Sequence, residues 1–282
     1  MIPFAAGFVE REYNNRAACP DHPHWFAEYA RRSAGAYADL DVRRDLRYGP
    51  GERETLDLFL PRGPARGSFV FIHGGYWRAL DKADFGFVAA PFVARGIAVA
   101  NVNYDLCPAV TVAAIVDEIR RAVGWVAREG ERHGAGTARV VVGGHSAGGH
   151  LAAMMVCTDW MQHGFAAPPF HAGVSLSGVH DLTPMPLFSF NVDLRLDEEA
   201  ARRLSPVLLP VRLVVPLLVA VGGAETGEFI RQARLLWEAW PAHRPAGAAA
   251  PLIVPGRNHF SVVADYGEPG SDLVRATLAL FD

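Results

Sequence analysis

The sequence predicts an α/β protein, a mostly parallel central sheet covered by helices on both faces. Short apolar runs rich in β-branched residues recur along the chain, and several are closed by glycine, asparagine or proline. Longer segments with helical spacing separate several of them, which is the alternation of a parallel sheet under helices. The chain has 282 residues, 50% of them hydrophobic, enough for one large core in a single domain.

The strand-length runs are residues 55–60, 68–72, 97–102, 139–142, 172–176, 217–221 and 252–254. Over 111–129, Val112, Val116, Ile119, Val123 and Val126 step by four and three along one face, as in an amphipathic helix. Residues 147–157 are free of proline and rich in alanine, leucine and methionine, a helix that begins right after Ser146. Prolines and a charged stretch make 179–213 an irregular, lid-like excursion. Residues 1–50 hold a helical stretch around 25–37 but no strong strand, and are expected to wrap the main body. Proline at both ends of 241–251 marks a loose surface connection.

The net charge of −3 and pI of about 6.4, with basic residues scattered, leave no footprint for a nucleic acid. No apolar run reaches the roughly 18 residues of a membrane span, and the N-terminus lacks the basic region and apolar core of a secretory leader, so a cytoplasmic protein is expected. Cys19, Cys107 and Cys157 are odd in number and widely spaced, and are expected to be inert thiols. A small-molecule substrate is the default partner. No repeat, heptad or long apolar edge specifies an assembly, so the oligomeric state stays open.

The chemistry concentrates at strand ends. Gly144-His145-Ser146-Ala147-Gly148 is a GxSxG with a strand before it and a helix after it, the setting of a strained turn that lifts a serine nucleophile above the sheet. Glycine two residues to either side removes side chains that would strike neighbouring backbone. The helix N-terminus that follows favours a developing oxyanion. A second turn, His73-Gly74-Gly75-Tyr76-Trp77, follows another strand and suits the rest of an oxyanion hole, with the backbone N–H groups of Gly75, Tyr76 and Ala147 as donors. For the base, His259 lies just beyond the last strand, where open α/β sheets place their sites. The acid is expected between Ser146 and His259 in the chain. Glu225, after the flexible pair Gly222-Gly223, is the first candidate; Asp181 and Glu228 are the alternatives.

These motifs resemble the arylformamidase, or kynurenine formamidase, branch of the α/β-hydrolases, whose hallmark is HGG, any residue, then tryptophan. The likeness extends to Glu12-Tyr13-Asn14-Asn15-Arg16, Pro20-Asp21-His22-Pro23, Leu56-Asp57-Leu58-Phe59, Ser177-Gly178-Val179-His180-Asp181-Leu182, Glu228-Phe229-Ile230-Arg231-Gln232 and Asn258-His259-Phe260. The resemblance implies the α/β-hydrolase fold, oxyanion amides at Gly75 and Tyr76, and a triad of Ser146, His259 and Glu225. Family members carry aspartate at the last position, where this chain has a glutamate one methylene longer.

The expectation is therefore a serine hydrolase that forms an acyl-enzyme and needs neither a metal nor an organic cofactor; no HExxH or comparable ligand spacing is present. The resemblance implies aryl formamides such as N-formylkynurenine as substrates, hence tryptophan catabolism. A general carboxylesterase for short acyl groups is the second reading, and a silent hydrolase fold used as a binding module the third. The aromatic residues Trp77, Phe188, Phe190 and Phe260 are expected to hold a planar leaving group.

Overall fold

The computed structural model describes residues 5–282; residues 1–4, on which part of the leader expectation rests, lie outside the described residues. Eight strands form one sheet: β1 (Asp41–Arg47), β2 (Thr55–Leu60), β3 (Gly67–Ile72), β4 (Ile97–Val102), β5 (Val140–His145), β6 (Ala172–Leu176), β7 (Leu217–Gly222) and β8 (Leu252–Val254). Their spatial order is β1-β2-β4-β3-β5-β6-β7-β8. The pairs β1–β2 and β2–β4 are antiparallel, and every pairing from β4 to β8 is parallel. All seven expected strands are present, several with shifted ends.

The eighth, β1, adds a strand within residues 1–50, where the sequence showed no strong one. Its sequence, Asp-Val-Arg-Arg-Asp-Leu-Arg, carries five charges because it is an edge strand with little of its surface covered. Charge protects such an edge from pairing with another chain, and it also erases the apolar pattern by which strands are recognised. A register shift between Arg43 and Leu46 leaves Asp45 with φ of 53°. The irregularity is held by charge. Lys82 Nζ donates to Asp45 (2.7 Å) and Asp57 (2.8 Å), while Asp57 also accepts from Tyr37 Oη (2.6 Å) and the Asp45 N–H (2.8 Å).

The helices are α1 (Ala6–Tyr13), α2 (Asn15–Ala18), α3 (His22–Asp39), α4 (Ala89–Val93), α5 (Val112–Glu129), α6 (Ala147–Val156), α7 (Asn191–Leu194), α8 (Glu198–Arg203), α9 (Gly227–Ala239), α10 (Ser261–Ala264) and α11 (Asp272–Leu278). Thr111 caps α5 by accepting the Ala114 N–H at 3.2 Å, and the helix buries the face formed by Val112, Val116, Ile119, Val123 and Val126. Alternation along β3 divides the core. Val70 and Ile72 face α5, α6 and α9, whereas Phe69 and Phe71 face α3, α4 and α11. Each such fully buried side chain contributes about 1.5–3 kcal/mol.

The segment 179–213 is built of turns and the short helices α7 and α8, and it packs against the loop after β3 through Phe188, Phe190 and Asp193. The segment before β1 joins both halves of the core, since Tyr13 on α1 donates to Glu228 on α9 (2.8 Å) and Tyr29 on α3 donates to the Phe260 carbonyl. Cys19, Cys107 and Cys157 are free; burial pushes the Cys107 thiol up to about 11 and that of Cys157 to about 12. Among the described residues no helix is long and apolar enough to cross a membrane.

Candidate active site

Ser146 stands between β5 and α6 with φ of 57° and ψ of −117°, a conformation that costs a non-glycine residue energy and persists only when its surroundings enforce it. The Ser146 N–H donates to the Leu176 carbonyl at 2.8 Å, tying the turn to the end of β6. The flanking glycines are required by close approach. A Cβ on Gly148 would lie 2.0 Å from the Ile72 oxygen, and one on Gly144 would lie 2.5 Å from the Gly148 backbone. The turn exposes the hydroxyl to the loop after β3. A Cβ on Gly74 would stand 3.1 Å from that of Ser146.

The His259 imidazole bridges the two other groups. Its Nε2 lies 3.0 Å from Ser146 Oγ and its Nδ1 lies 2.6 Å from Glu225 Oε2. A carboxylate accepts only, so Nδ1 carries the proton and Nε2 offers its lone pair to the serine hydroxyl. The other carboxylate oxygen, Oε1, accepts from the Gly222 N–H (2.8 Å) and from Ser177 Oγ (2.5 Å). Three donors therefore fix the Glu225 carboxylate between β7 and α9. Neither rival acid reaches the imidazole. Asp181 turns back to accept from the Thr183 N–H (3.0 Å) and Oγ1 (2.6 Å), and Glu228 is held by Tyr13 and by Arg231 at 2.8 Å.

Two supporting residues, both within motifs quoted above, were given no role in the sequence reading. Ser177, at the end of β6 with φ of 52°, is the hydroxyl that orients Glu225. His145 donates from Nε2 to the His259 carbonyl at 2.9 Å, and its ring centroid lies 4.7 Å from that of His259. Burial holds the His145 pKa well below the usual histidine range, so it supports the backbone of His259 as a neutral donor. The available signal was position alone, since both residues sit at C-terminal ends of parallel strands.

The His73–Trp77 loop is strained as well. Gly75, Tyr76 and Trp77 have φ of 115°, 51° and 57° in succession, and a Cβ on Gly75 would meet the Ala79 oxygen at 2.1 Å. The loop is held by Tyr76 Oη, which donates to the Tyr13 carbonyl at 2.5 Å, and by Tyr104 Oη, which donates to the His73 carbonyl at 2.9 Å. The His73 ring stacks on Tyr104 at 4.3 Å, and burial pulls its pKa down to about 4. Gly75 and Tyr76 line the cavity above Ser146, and Ala147 contributes the first N–H of α6, a group without an intrahelical partner.

That cavity, about 570 Å³ with the open solvent at its mouth included, holds Ser146 and His259 in its wall. Of the expected aromatics, Phe190 and Phe260 line it, and Trp77 and Phe188 do not. The left-handed turn carries Trp77 away from Ser146 into the core, where its ring meets His150 edge-on at 5.0 Å. Phe188 is buried behind the wall against Tyr76 and Phe190, at 5.3 and 4.7 Å between centroids. The remaining apolar wall comes from Phe26 and Tyr29 of α3 and from Ala79, Leu80 and Phe85. Two arginines, Arg16 and Arg78, also face the cavity.

The BD-FAE family profile matches residues 56–186. A kynurenine formamidase of Salmo salar is 34% identical over 224 residues, which span 77% of this chain and 74% of that one. The crystal structure of a candidate thioesterase from Silicibacter sp. TM1040 superposes with a TM-score of 0.84 at 34% identity, covering 95% of this chain and 97% of that chain. A hyperthermophilic esterase from Pyrobaculum calidifontis, 18% identical with a TM-score of 0.70 over 93% of this chain and 90% of its own, shares the fold.

Proposed function

The chain belongs to the kynurenine formamidase family of α/β-hydrolases, and we propose that it hydrolyses aryl formamides of the N-formylkynurenine type through an acyl-enzyme on Ser146. One observation carries this reading. The Ser146–His259–Glu225 chain of hydrogen bonds opens into a cavity walled by aromatic rings, whose faces suit a planar aryl group.

In the proposed reaction His259 Nε2 removes the Ser146 proton as Oγ attacks the formyl carbon. Glu225 stabilises the imidazolium that forms. The amides of Gly75, Tyr76 and Ala147 donate to the tetrahedral oxyanion. His259 then gives its proton to the departing arylamine nitrogen, leaving a formyl ester on Ser146. Water, deprotonated by the same imidazole, attacks that ester and releases formate and the free serine. An anilide nitrogen shares its lone pair with the ring, which makes its carbonyl more electrophilic than that of an ordinary amide. The closeness of Gly74 to the Ser146 side chain favours a small acyl group, and formyl carries only hydrogen.

The test is kcat/KM on matched aryl amides and esters of increasing acyl length. Exclusion of a single methylene discriminates by roughly 10- to 200-fold, so rates should fall steeply from formyl to acetyl to butyryl. A flat profile, or a maximum at butyryl without formamide turnover, would replace this reading with a general short-chain carboxylesterase.

A further inference from the structure

The proposed reaction gives no task to the motif Glu12-Tyr13-Asn14-Asn15-Arg16, yet the structure sets its end in the cavity wall. Its first part is an anchor. Tyr13 Oη donates to Glu228 (2.8 Å) and accepts from Gln232 Nε2 (2.9 Å), and Asn14 caps α2 by accepting the Ala17 N–H (3.1 Å). The next two residues, Asn15 and Arg16, are thereby fixed beside Ser146 and His259 in one cavity.

Asn15 is 4% exposed, and its Nδ2 has no hydrogen-bond partner among the described residues. A buried amide donor without an acceptor is rare and costly, so its acceptor is to be sought in what enters the cavity. Arg16 is solvent-exposed and stands over the Phe26 ring at 5.6 Å, with no carboxylate among the described residues pairing with it. The second cavity arginine, Arg78, has its charge balanced by Asp193 at 2.5 Å and packs on the face of Phe190 at 4.4 Å, although its buried Nε has no hydrogen-bond partner among the described residues. No aspartate or glutamate is among the described lining residues. The cavity thus holds one guanidinium without a carboxylate partner beside an unused amide donor, and no carboxylate among its described lining residues.

We infer that Arg16 and Asn15 form a carboxylate-binding subsite, so that the enzyme prefers aryl substrates whose leaving group bears an anionic carboxylate. The inference rests on the hydrolase reading above for its substrate but not for its chemistry. Stacking on Phe26 leaves the planar fork of Arg16 free to donate to both carboxylate oxygens, a match that lysine does not reproduce.

The test compares kcat/KM for 4-acetoxybenzoate and 4-acetoxybenzamide, which share ring and scissile ester and differ in charge. Wild type should favour the anion by roughly 10- to 100-fold, the range for a charge-assisted hydrogen bond, and the preference should shrink as salt is added. Arg16→Gln should abolish the preference mainly through KM, Arg16→Lys should restore part of it, and Asn15→Ala should lower it about 3- to 10-fold. A wild type without preference, a preference that survives Arg16→Gln, or one that disappears only in Arg78→Gln would overturn the inference. If wild type cleaves neither acetyl ester, the hydrolase reading is decided separately, by turnover of the matched formyl esters, and it fails if these too are left intact. The subsite is then decided by calorimetry on Ser146→Ala with 4-hydroxybenzoate and 4-hydroxybenzamide. Tighter binding of the anion that Arg16→Gln removes supports it, and equal binding overturns it.

Discussion

Replacing Glu225 by glutamine preserves shape while reversing the polarity of one atom, and the structure dictates which. Oε1 accepts from the Gly222 N–H at 2.8 Å, a backbone donor that cannot turn away, and from Ser177 Oγ at 2.5 Å. The glutamine carbonyl must occupy that position. Its NH2 group is then placed where Oε2 lay, 2.6 Å from His259 Nδ1. Two donors cannot face each other at that distance, so the imidazole must shift its proton to Nε2 and present N–H, rather than a lone pair, to Ser146. The base is lost although every heavy atom stays in place. The equivalent change in serine proteases lowers kcat about 10⁴-fold, and a loss of roughly 10³- to 10⁴-fold, or about 4–5.5 kcal/mol, is expected here. The assay is kcat and kcat/KM on 4-nitrophenyl acetate, with circular dichroism and Tm to establish folding. Asp181→Asn is the control, because that carboxylate serves only Thr183 and its loss should cost less than about tenfold. A Glu225→Gln enzyme retaining a tenth of wild-type kcat, or an Asp181→Asn enzyme crippled to the same degree, would refute the reasoning.

Two further predictions concern the scaffold. Lys82→Met leaves the Asp57 carboxylate, 3% exposed, without its ammonium partner and should destabilise the fold by about 3–5 kcal/mol in thermal or urea unfolding; a change below about 1 kcal/mol would mean that water reaches the pair. Burial raises the Glu118 carboxyl to about 7 from the ordinary 4.5, so within this window the folded protein keeps a proton that the unfolded chain releases. Stability is therefore complete below pH 4.5 and falls as pH rises toward 7, by at most about 3 kcal/mol. Glu118→Gln, whose carbonyl can still accept the Asp105 N–H, should gain in Tm over wild type between pH 5 and pH 8, whereas a constant difference would contradict the assignment.

The parts of the molecule legible in the sequence were those written by burial or by covalent geometry. Parallel strands covered on both faces must be apolar throughout, which is why β3, β4 and β5 stood out. The turn at Ser146 requires glycine two residues to either side, so the strained turn that presents this serine was visible as a pattern. Glu225 was legible because the glycine pair before it frees the backbone to aim a carboxylate. What the sequence concealed was direction and company. Trp77 adjoins the oxyanion loop in the chain, but consecutive left-handed residues point it into the core. Phe26 and Tyr29, three residues apart on α3, belong to the cavity only because α3 packs beside His259 and Phe260. Ser177 meets Glu225 across 48 positions, a contact no local pattern records. The charged edge strand β1 lacks the one signal by which strands are read.

The central claim is that Ser146 is the nucleophile, activated by His259, and it is tested most directly by peptide mapping after reaction with a fluorophosphonate probe. Labelling should fall on the peptide containing Ser146, abolish hydrolysis in proportion to its extent, slow by orders of magnitude in His259→Ala, and vanish in a folded Ser146→Ala protein. Label on another serine that tracks the loss of activity, or full hydrolysis by Ser146→Ala, would contradict the account.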